Sequence, residues 1–338
     1  MNASPGRIVL VTDAWEPQVN GVVRTLKTTV RELERLGQQV MVVEPQAFFR
    51  VHCPFTHDID LALNITPAFV TTCVRPPCRV HICTEGTLGW AFRLFCAYRR
   101  IPYTTAYHTK FPEYVHEHTG LPVRWGVGVI RWFHWHSQAI MVATRSLARK
   151  LQARGFRPPP KIWSRGVDHA LFRPRPKTLP RSKPLALYVG RVAKEKNVEA
   201  FLQARNPLEK YVVGDGPGRE ALMRKYPNVR FVGALHGEKL AEMYCNADVF
   251  VFPSLTDTFG LVVIEALSSG VPVACYPVEG PADILDNRPG VGCCDEDLEK
   301  AIDQALQTGD AERCVELGRQ YSWEACTRQF LSNLVWHK

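Results

Sequence analysis

The sequence predicts an α/β protein of two domains, each a doubly wound parallel sheet, that face each other across a cleft. Three observations support this. Apolar runs of strand length alternate with amphipathic stretches of helix length along nearly all of the 338 residues. A basic, proline-rich segment interrupts the alternation at Phe172–Pro184. The length also fits two domains of about 150 residues each.

The first half of the chain begins with Arg7–Asp13, a continuous apolar run typical of a buried parallel strand. Asn20–Leu36 follows with apolar residues at helical spacing, and Gly37 is a typical helix stop. Strands are then predicted at Gln39–Glu44, Val80–Cys83, Tyr103–His108, Ala139–Thr144 and Lys161–Ser164, and helices at Leu88–Arg99 and Ser146–Arg154.

Phe172–Pro184 holds four prolines and five basic residues in thirteen positions, which is typical of an interdomain linker. The alternation restarts after it. Strands are predicted at Leu185–Gly190, Tyr211–Gly214, Val229–Val232, Val249–Pro253 and Val271–Cys275, and helices at Asn197–Ala204, Gly218–Lys225, Glu238–Asn246 and Gly260–Ser269. We therefore divide the chain into a Rossmann-like domain at 1–172, a linker at 173–184, a second Rossmann-like domain at 185–320 and a C-terminal helix at 321–338.

The excess positive charge lies in the first half of the chain. The net charge is +9, from 42 Lys and Arg against 33 Asp and Glu. Up to Arg173 there are 22 basic and 11 acidic residues, a net of +11, and the remainder carries −2. Phosphates, anionic lipid and nucleic acid are the candidate partners of such a region.

The eleven cysteines indicate buried, reduced thiols. Their number is odd and no CxxC pair is present, which argues against a disulfide framework and against zinc. We expect no signal peptide, because the N-terminus lacks a basic start followed by a long apolar core. No uncharged apolar run approaches the ~18 residues that a membrane span needs. These features predict a cytoplasmic protein without a metal site.

The strongest local signal is the segment from Pro253 to Val273, PSLTDTFGLVVIEALSSGVPV, in which a strand, a polar loop and a helix follow one another. The first amides of that helix would form an anion site, supported by the helix dipole. These amides belong to Gly260, Leu261 and Val262.

Two carboxylates border that helix start. Asp257 lies on the loop, and Glu265 lies more than one turn inside the helix. A phosphate at the helix mouth would then have a carboxylate on each side, and carboxylates accept hydrogen bonds from sugar diols. The alternative is a capping loop in which Asp257 is the N-cap and Glu265 is a surface residue.

A second signal is GRVAKEKN, Gly190–Asn197, which follows the first strand of the second domain. Arg191 and Lys196 project from a strand-to-helix turn, where two fixed cations can neutralise a diphosphate. The alternative is a solvated basic turn.

Two weaker signals lie in the first domain. Gly21 stands at the first strand-to-helix turn, where a glycine allows a phosphate to approach the backbone, although Asn-Gly is also an ordinary turn. His108 follows a strand in Tyr107–His108–Thr109 and would point into the cleft towards a reacting sugar. A core histidine with satisfied hydrogen bonds is the alternative.

Three other motifs are set aside. Gly214–Gly218, GDGPG, has the wrong spacing for a dinucleotide fingerprint and no acidic residue at the end of the next strand. Asp58–Asp60 fits a strand with alternating faces, and Asp295–Asp297 fits a helix start, rather than metal-binding DxD motifs.

In combination, these segments resemble the retaining, nucleotide-sugar-dependent glycosyltransferases of family 4, which have the GT-B fold. The similarity covers almost the whole chain. It includes the NGV loop, YHT, WSRGVD at Trp163–Asp168, GRVAKEKN, GDGPGRE, TDTFGLVVIEA and SWE at Ser322–Glu324. The TEG at Thr84–Gly86 and the TDTFG loop resemble most the bacterial mannosyl-, glucosyl- and sulfoquinovosyl-transferases that build glycolipids.

The resemblance implies roles in donor binding. Arg191 and Lys196 would hold the donor diphosphate together with amides near Leu261 and Val262, and Glu265 would bind the nucleotide ribose. Asp257 and the backbone at Phe259 and Gly260 would bind hydroxyls of the transferred sugar.

It also implies that Gly21 lies near the phosphate and the acceptor, and that His108 contacts the donor sugar. Gly233–Gly237 would line the base, and the helix after Ser322 would cross back onto the first domain. One departure is that the first carboxylate of the family's Glu-x7-Glu pair is aspartate here, at Asp257. The resemblance to the family implies retention of the anomeric configuration. It also implies that no metal is required, since protein cations stabilise the departing diphosphate.

The stretch Arg124–His136, RWGVGVIRWFHWH, has Trp125, Val129, Trp132 and His136 on one helical face and Phe133 beside it. Aromatic residues with arginines can mark a helix at a membrane interface. The alternative, which we favour for this helix, is a face directed into the core. The +11 half nevertheless suits peripheral contact with an anionic membrane.

We therefore expect a hexosyltransferase that moves a hexose from a UDP- or GDP-sugar to a lipid or glycan acceptor, at the cytoplasmic face of the inner membrane. No cofactor beyond the donor is expected. Two alternatives stay open, a nucleotide-sugar epimerase of GT-B form and a catalytically silent GT-B binding module. Nucleic-acid binding is disfavoured, because no basic-aromatic repeat or reading helix is evident.

Overall fold

Within residues 6–18, 20–53, 56–108, 120 and 122–338, which the computed structural model describes, two six-stranded parallel sheets organise the chain. They lie in two units. One unit comprises Met1–Ser164 and Trp323–Lys338, and the other comprises Arg165–Ser322. The two-sheet α/β prediction is thus confirmed.

The first sheet has the strand order β2-β1-β5-β6-β7-β8. The strands of this unit are β1 Arg7–Val11, β2 Val40–Val43, β3 Arg50–Cys53, β4 Thr56–Ala62, β5 Cys78–Ile82, β6 Tyr103–Ala106, β7 Ile140–Val142 and β8 Pro160–Ile162. Its helices up to residue 164 are α1 Gly21–Arg35, α2 Pro67–Cys73, α3 Thr87–Arg99, α4 Val123–His134 and α5 Arg145–Ala153. Buried side chains on β1, β5 and β6 form the core beneath α3.

The second sheet has the order β11-β10-β9-β12-β13-β14. Its strands are β9 Leu185–Val189, β10 Glu209–Val213, β11 Arg230–Gly233, β12 Val249–Phe252, β13 Val273–Cys275 and β14 Gly292–Cys294. The helices of this unit are α6 Val198–Gln203, α7 Arg219–Lys225, α8 Gly237–Asn246, α9 Leu261–Ser268, α10 Glu279–Leu285, α11 Leu298–Thr308 and α12 Ala311–Arg319. Every residue of β9 is buried, as expected for a central strand with both faces covered.

The last helix, α13 Trp323–Asn333, packs within the first unit. Phe330 joins a buried cluster with Trp163, and the Asn333 side chain donates to the Ile162 carbonyl at 2.8 Å. The segment predicted as a linker is held against the second unit. The amides of Thr178 and Leu179 both donate to the Asn246 side chain, at 2.8 and 2.9 Å.

Several elements were not predicted from the sequence. β3, its antiparallel pairing with β4, and the edge strand β14 of the second sheet were missed. α2, α10 and α12 were also missed. The strand interpretation of Asp58–Asp60 is confirmed, because these residues lie in β4. The helix-start interpretation of Asp295–Asp297 is confirmed too, since the Asp297 side chain caps α11.

The face of α4 that carries the tryptophans contradicts the core-facing alternative. Trp125, Val129 and Trp132 are exposed, whereas Ile130 and Phe133 next to that face are buried. A helix directs only one side into the core, and in α4 that side consists of Ile130, Phe133 and His134. The tryptophans are therefore left on the outside.

The ten cysteines whose side chains are described are free thiols, and eight of them are buried. Burial raises the pKa of Cys96 and Cys314 to about 12, so these thiols stay protonated. Cys275 and Cys294, paired on β13 and β14, have sulfur atoms 2.8 Å apart. Across the described residues, no helix is both long and apolar enough to cross a bilayer.

Candidate functional site

The second sheet places two motif-bearing loops at its switch point. β9 and β12 are neighbours, and the strand order reverses between them. In open α/β sheets, ligands bind at the carboxyl ends of the strands at such a point. The loop Gly190–Asn197 follows β9, and the loop from Pro253 to Gly260 follows β12. The topology therefore brings the two strongest sequence signals together.

Lys196 and Asp257 form an ion pair across these loops. The Lys196 Nζ donates to both carboxylate oxygens of Asp257, at 2.7 and 2.9 Å. The side chains retain 28% and 24% of their exposure, so the pair is accessible to a ligand. Charge-assisted hydrogen bonds of this kind position side chains more strongly than neutral ones.

Further contacts fix the same two loops. The Asn197 amide group donates to the Pro253 carbonyl at 3.2 Å. The Tyr188 hydroxyl, at the end of β9, donates to the Arg191 carbonyl at 2.8 Å and so supports the exposed Arg191 turn. Burial raises the pKa of Tyr188, and the nearby Asp257 raises it further, so this hydroxyl stays a donor.

The glycine motif GDGPG packs directly beneath the Arg191 loop. A Cβ on Gly214 would lie 1.8 Å from the Gly190 carbonyl oxygen, and one on Gly216 would lie 2.5 Å from that of Val192. Both glycines have φ above +130°, which side chains rarely permit. The Val192 amide donates to the Asp215 carbonyl at 2.8 Å. The motif therefore supports the cation-bearing loop by close backbone contact.

Gly260, which has φ +92°, is the N-cap of α9. The alternative in which Asp257 caps the helix is therefore wrong; its carboxylate is directed to Lys196 instead. Leu261 and Val262 form the first turn, whose amides have no partner further back in the helix. A Cβ on Gly280 would lie 2.5 Å from the Phe259 carbonyl oxygen, so α10 supports this loop from behind.

Glu265 is 1% exposed, which contradicts the alternative that it is a surface residue. The Tyr244 hydroxyl on α8 donates to its Oε2 at 3.0 Å. Tyr244 is itself buried, between the rings of Phe172 and Phe250. Sequence analysis missed Tyr244, because nothing in the sequence links it to a partner 21 positions away.

The predicted residues of the first unit lie after strands of its sheet. His108 follows β6, and its ring packs edge-on against Trp163 with centroids 5.4 Å apart. Gly21 is the first residue of α1. The Asn20 side chain accepts from the amides of Val22 and Val23, both at 3.0 Å, so an anion at this helix start would compete with Asn20.

Asp13 was not predicted as a site residue, yet it lies at the switch point of the first sheet, after β1. Its carboxylate accepts from the Leu88 and Gly89 amides, at 2.9 and 3.3 Å, and thereby caps α3. A Cβ on Gly86 would lie 2.3 Å from the Asp13 carboxyl carbon, which explains the glycine of TEG. Burial raises the pKa of Asp13, and these hydrogen bonds oppose the rise.

Comparison with known proteins identifies the family. A model described as Glycosyltransferase Family 4 matches residues 19–171, and one described as Glycosyl transferases group 1 matches residues 183–308. The GDP-mannose-dependent alpha-mannosyltransferase of Mycobacterium tuberculosis is 31% identical over 82% of this chain and 81% of its own length. The chain belongs to glycosyltransferase family 4.

A second relative of this family 4 glycosyltransferase is the sulfoquinovosyl transferase SQD2 of Arabidopsis thaliana, 28% identical over 97% of this chain and 69% of its own length. Among solved structures, sucrose-phosphate synthase from Thermosynechococcus elongatus matches with a TM-score of 0.74 and 22% identity, over 97% of this chain and 98% of that one. The Anabaena protein HepE with UDP-glucose matches with a TM-score of 0.68 and 15% identity, over 96% and 98%. The predicted GT-B fold is confirmed.

The family does not by itself assign roles to residues, so the sugar, phosphate and ribose contacts expected of the glycosyltransferase stay predictions. In the parts of the chain with described side chains, no three His, Cys, Asp or Glu residues converge as a metal site would require.

Proposed function

We propose that this glycosyltransferase moves a hexose from a UDP- or GDP-linked sugar to a lipid or glycan acceptor, with retention of anomeric configuration. The observation that carries the proposal is the contact between Lys196 and Asp257 at the switch point of the second sheet, beside the start of α9. A cation and helix amides suit a diphosphate, and a carboxylate suits sugar hydroxyls. One short region thus offers the complementary groups for both halves of a nucleotide sugar.

The chemistry assigned to the cations is stabilisation of the leaving group. When the bond from the anomeric carbon to the diphosphate breaks, negative charge develops on the phosphate oxygens. Lys196, Arg191 and the N-terminus of α9 would stabilise that charge without reorganisation, because side chains of Tyr188 and Asn197 already fix the loops through their backbone carbonyls. We propose that these groups replace a metal ion.

The ion pair suggests how the donor is accepted. The diphosphate would draw the Lys196 ammonium from Asp257, because a phosphate offers more negative charge than one carboxylate. The freed Asp257 carboxylate would then accept hydrogen bonds from the hexose hydroxyls. Glu265, fixed by Tyr244, would accept from the ribose, and Phe259 and Gly260 would offer backbone groups to the sugar. His108 and Gly21 are proposed to act from the first unit.

Relatives support the donor and acceptor classes. One is named for GDP-mannose, and the alpha-monoglucosyldiacylglycerol synthase of Streptococcus pneumoniae is named for a glycolipid; the latter is 25% identical over 80% of this chain. By extension, we propose that the acceptor is a membrane lipid and that the enzyme works at the cytoplasmic face of the inner membrane. The net +11 of residues up to Arg173 supports contact with anionic lipid.

The test is a panel of UDP- and GDP-hexoses incubated with the protein and a membrane-lipid extract, with the products identified by mass spectrometry. NMR coupling constants of the new glycosidic bond report retention or inversion, and EDTA should leave turnover unchanged. Lys196→Ala should lower turnover about a hundredfold or more, whereas Lys194→Ala, an exposed lysine of the same loop, should not.

Equal turnover in Lys196→Ala and wild type would overturn the assigned site. A new nucleotide sugar formed without any acceptor would identify an epimerase instead. Absence of nucleotide-sugar binding in calorimetry would identify a silent module.

A further inference from the structure

The outer face of α4 is a tryptophan-rich surface in the first unit. Trp125, Val129 and Trp132 are 62%, 53% and 53% exposed. They lie four and seven positions apart and so share one side of the helix. Ile130 and Phe133, on an adjacent side of the helix, are buried in the core. Within the described residues, α4 therefore buries one apolar side and leaves a second one exposed.

The same surface continues onto α3. The rings of Trp90 and Trp132 have centroids 4.9 Å apart, which joins the two helices. Leu94 and Tyr98 follow Trp90 at intervals of four residues, so they extend the same side of α3. They are 47% and 85% exposed. We call this set the aromatic surface; it comprises Trp90, Leu94, Tyr98, Trp125, Val129 and Trp132.

Basic residues border the aromatic surface without acidic ones among them. From residue 118 to residue 167 the chain contains nine Lys and Arg and no Asp or Glu. Arg124 and Arg131, seven positions apart on α4, form an exposed column beside the tryptophans. Arg99 and Arg100 end α3 close to Tyr98 and are also exposed. Exposed arginines therefore lie next to the apolar patch on both helices.

Arg131 and Trp135 also border an open concavity. It has a volume of about 310 Å³ and is lined by Gly128, Arg131, Trp132, Trp135 and His136. The guanidinium of Arg157 lies 5.4 Å from the centre of the Trp135 ring, which adds another cation at this edge. A concavity lined by two indole rings and an arginine matches an acyl chain joined to a phosphate.

We propose that the aromatic surface docks onto a bilayer that contains anionic phospholipid. Indole rings favour the boundary between headgroups and acyl chains, and arginines at the rim are attracted to lipid phosphates. A nucleic acid would also be attracted to these cations, but nucleic-acid binding would not explain why leucine and valine are exposed here. The proposal builds on the membrane contact proposed above, yet it assigns that contact to particular residues and its test measures binding rather than turnover.

The test is sedimentation of the full chain with vesicles of phosphatidylglycerol and phosphatidylcholine, and with vesicles of phosphatidylcholine alone. Wild type should bind the anionic vesicles, and binding should weaken as salt rises. Trp125→Ala/Trp132→Ala and, separately, Arg124→Gln/Arg131→Gln should each lower the partition coefficient at least tenfold. The matched control is Phe49→Ala/Leu63→Ala, which removes two exposed apolar side chains from another part of the same unit and should bind as wild type does.

Brominated lipids give a second measurement that loss of folding cannot mimic. They should quench tryptophan fluorescence of wild type and of the control more than that of Trp125→Ala/Trp132→Ala. Equal sedimentation of all variants, or binding without dependence on anionic lipid, would overturn the proposal. So would vesicle-free self-association that the tryptophan variant abolishes, because the surface would then cover a second copy of the chain. Hydrolysis of the soluble donor without vesicle binding would overturn this proposal and leave the catalytic one standing.

Discussion

The Nζ of Lys196 lies 2.7 and 2.9 Å from the two carboxylate oxygens of Asp257, although 61 positions separate the residues. The contact arises because β9 and β12 are adjacent parallel strands, so the loops after them leave the same edge of the sheet. Each residue alone fits a solvated turn or a capping loop. Their contact at the switch point forms an ion pair that a nucleotide sugar can separate, with the diphosphate binding the cation and the sugar hydroxyls binding the carboxylate.

Replacing Asp257 by asparagine keeps the side-chain shape and removes its charge. We expect kcat to fall on the order of a hundredfold, because the sugar hydroxyls lose an ionised acceptor and Lys196 loses its partner. Asp257→Glu should recover part of the loss. Asp215→Asn, on a neighbouring loop and mostly exposed, is the control and should keep wild-type kcat. Full activity in Asp257→Asn would remove the carboxylate from the proposed site.

Tyr244→Phe tests whether Glu265 must be fixed in position. The change removes the hydroxyl that donates to Glu265 Oε2 and keeps the buried ring. We expect the KM for the donor to rise about tenfold with kcat less affected, because a buried acceptor loses a partner worth about 1 to 3 kcal/mol. Tyr226→Phe removes a hydroxyl bound to Glu199 on the surface and serves as the control. Equal effects of the two variants would show that the Tyr244 hydroxyl does not position Glu265 for the donor.

Gly280→Ala tests the support that α10 gives to the loop before α9. The new methyl group would overlap the Phe259 carbonyl, so the loop that carries Gly260 must shift. We expect at least a tenfold loss of kcat/KM with the thermal midpoint of unfolding lowered by only a few degrees. Gly128→Ala, where a methyl group meets nothing within 4 Å, should leave kcat/KM for hydrolysis of the soluble donor unchanged and keep or raise stability. Wild-type kcat/KM in Gly280→Ala would show that the loop position is not critical.

The sequence predicts the parts of this site that follow from strand order and local composition. Arg191, Lys196 and Asp257 are polar residues immediately after apolar strands, and parallel strands bring such positions to one edge. It does not predict Tyr244 or Gly280, because their partners are Glu265 and Phe259 and only tertiary packing brings these pairs together. The hairpin of β3 and β4 was missed for another reason. The alternation at Asp58–Asp60 predicts a strand, but it does not identify β3 as the antiparallel partner.

The same limit applies to the outer face of α4. Apolar residues at helical spacing predict that a helix has an apolar side, but periodicity alone does not say whether that side is covered. Trp125 and Trp132 look identical in sequence to core residues. Only their exposure, set beside the burial of Ile130 and Phe133, shows that the helix has two apolar sides and that one is open.

His81 predicts a pH dependence of the first unit. The ring lies between Trp163 and Phe330, its Nδ1 is 2.8 Å from the Thr104 hydroxyl oxygen, and burial lowers its pKa to about 3. In the unfolded chain, His81 takes up a proton with the ordinary histidine pKa of about 6.5. Its contribution to the free energy of unfolding is therefore complete above that pH and is lost as pH falls towards 3.

In urea unfolding of the wild type, the free energy of unfolding of the first unit should therefore fall by about 2 to 3 kcal/mol between neutral pH and about pH 4.5 because of His81. His81→Phe, which keeps an aromatic ring, should lose correspondingly less over the same interval, whatever its stability at neutral pH. Parallel slopes in wild type and His81→Phe would contradict the burial argument.

A crystal structure of the protein with UDP or GDP would show directly where the donor diphosphate binds. The diphosphate should lie at the switch point of the second sheet. Its oxygens should lie within hydrogen-bonding distance of Lys196, Arg191 and the first amides of α9, and Lys196 should no longer bridge both oxygens of Asp257. A diphosphate bound elsewhere, with the contact between Lys196 and Asp257 intact, would contradict the proposed donor site.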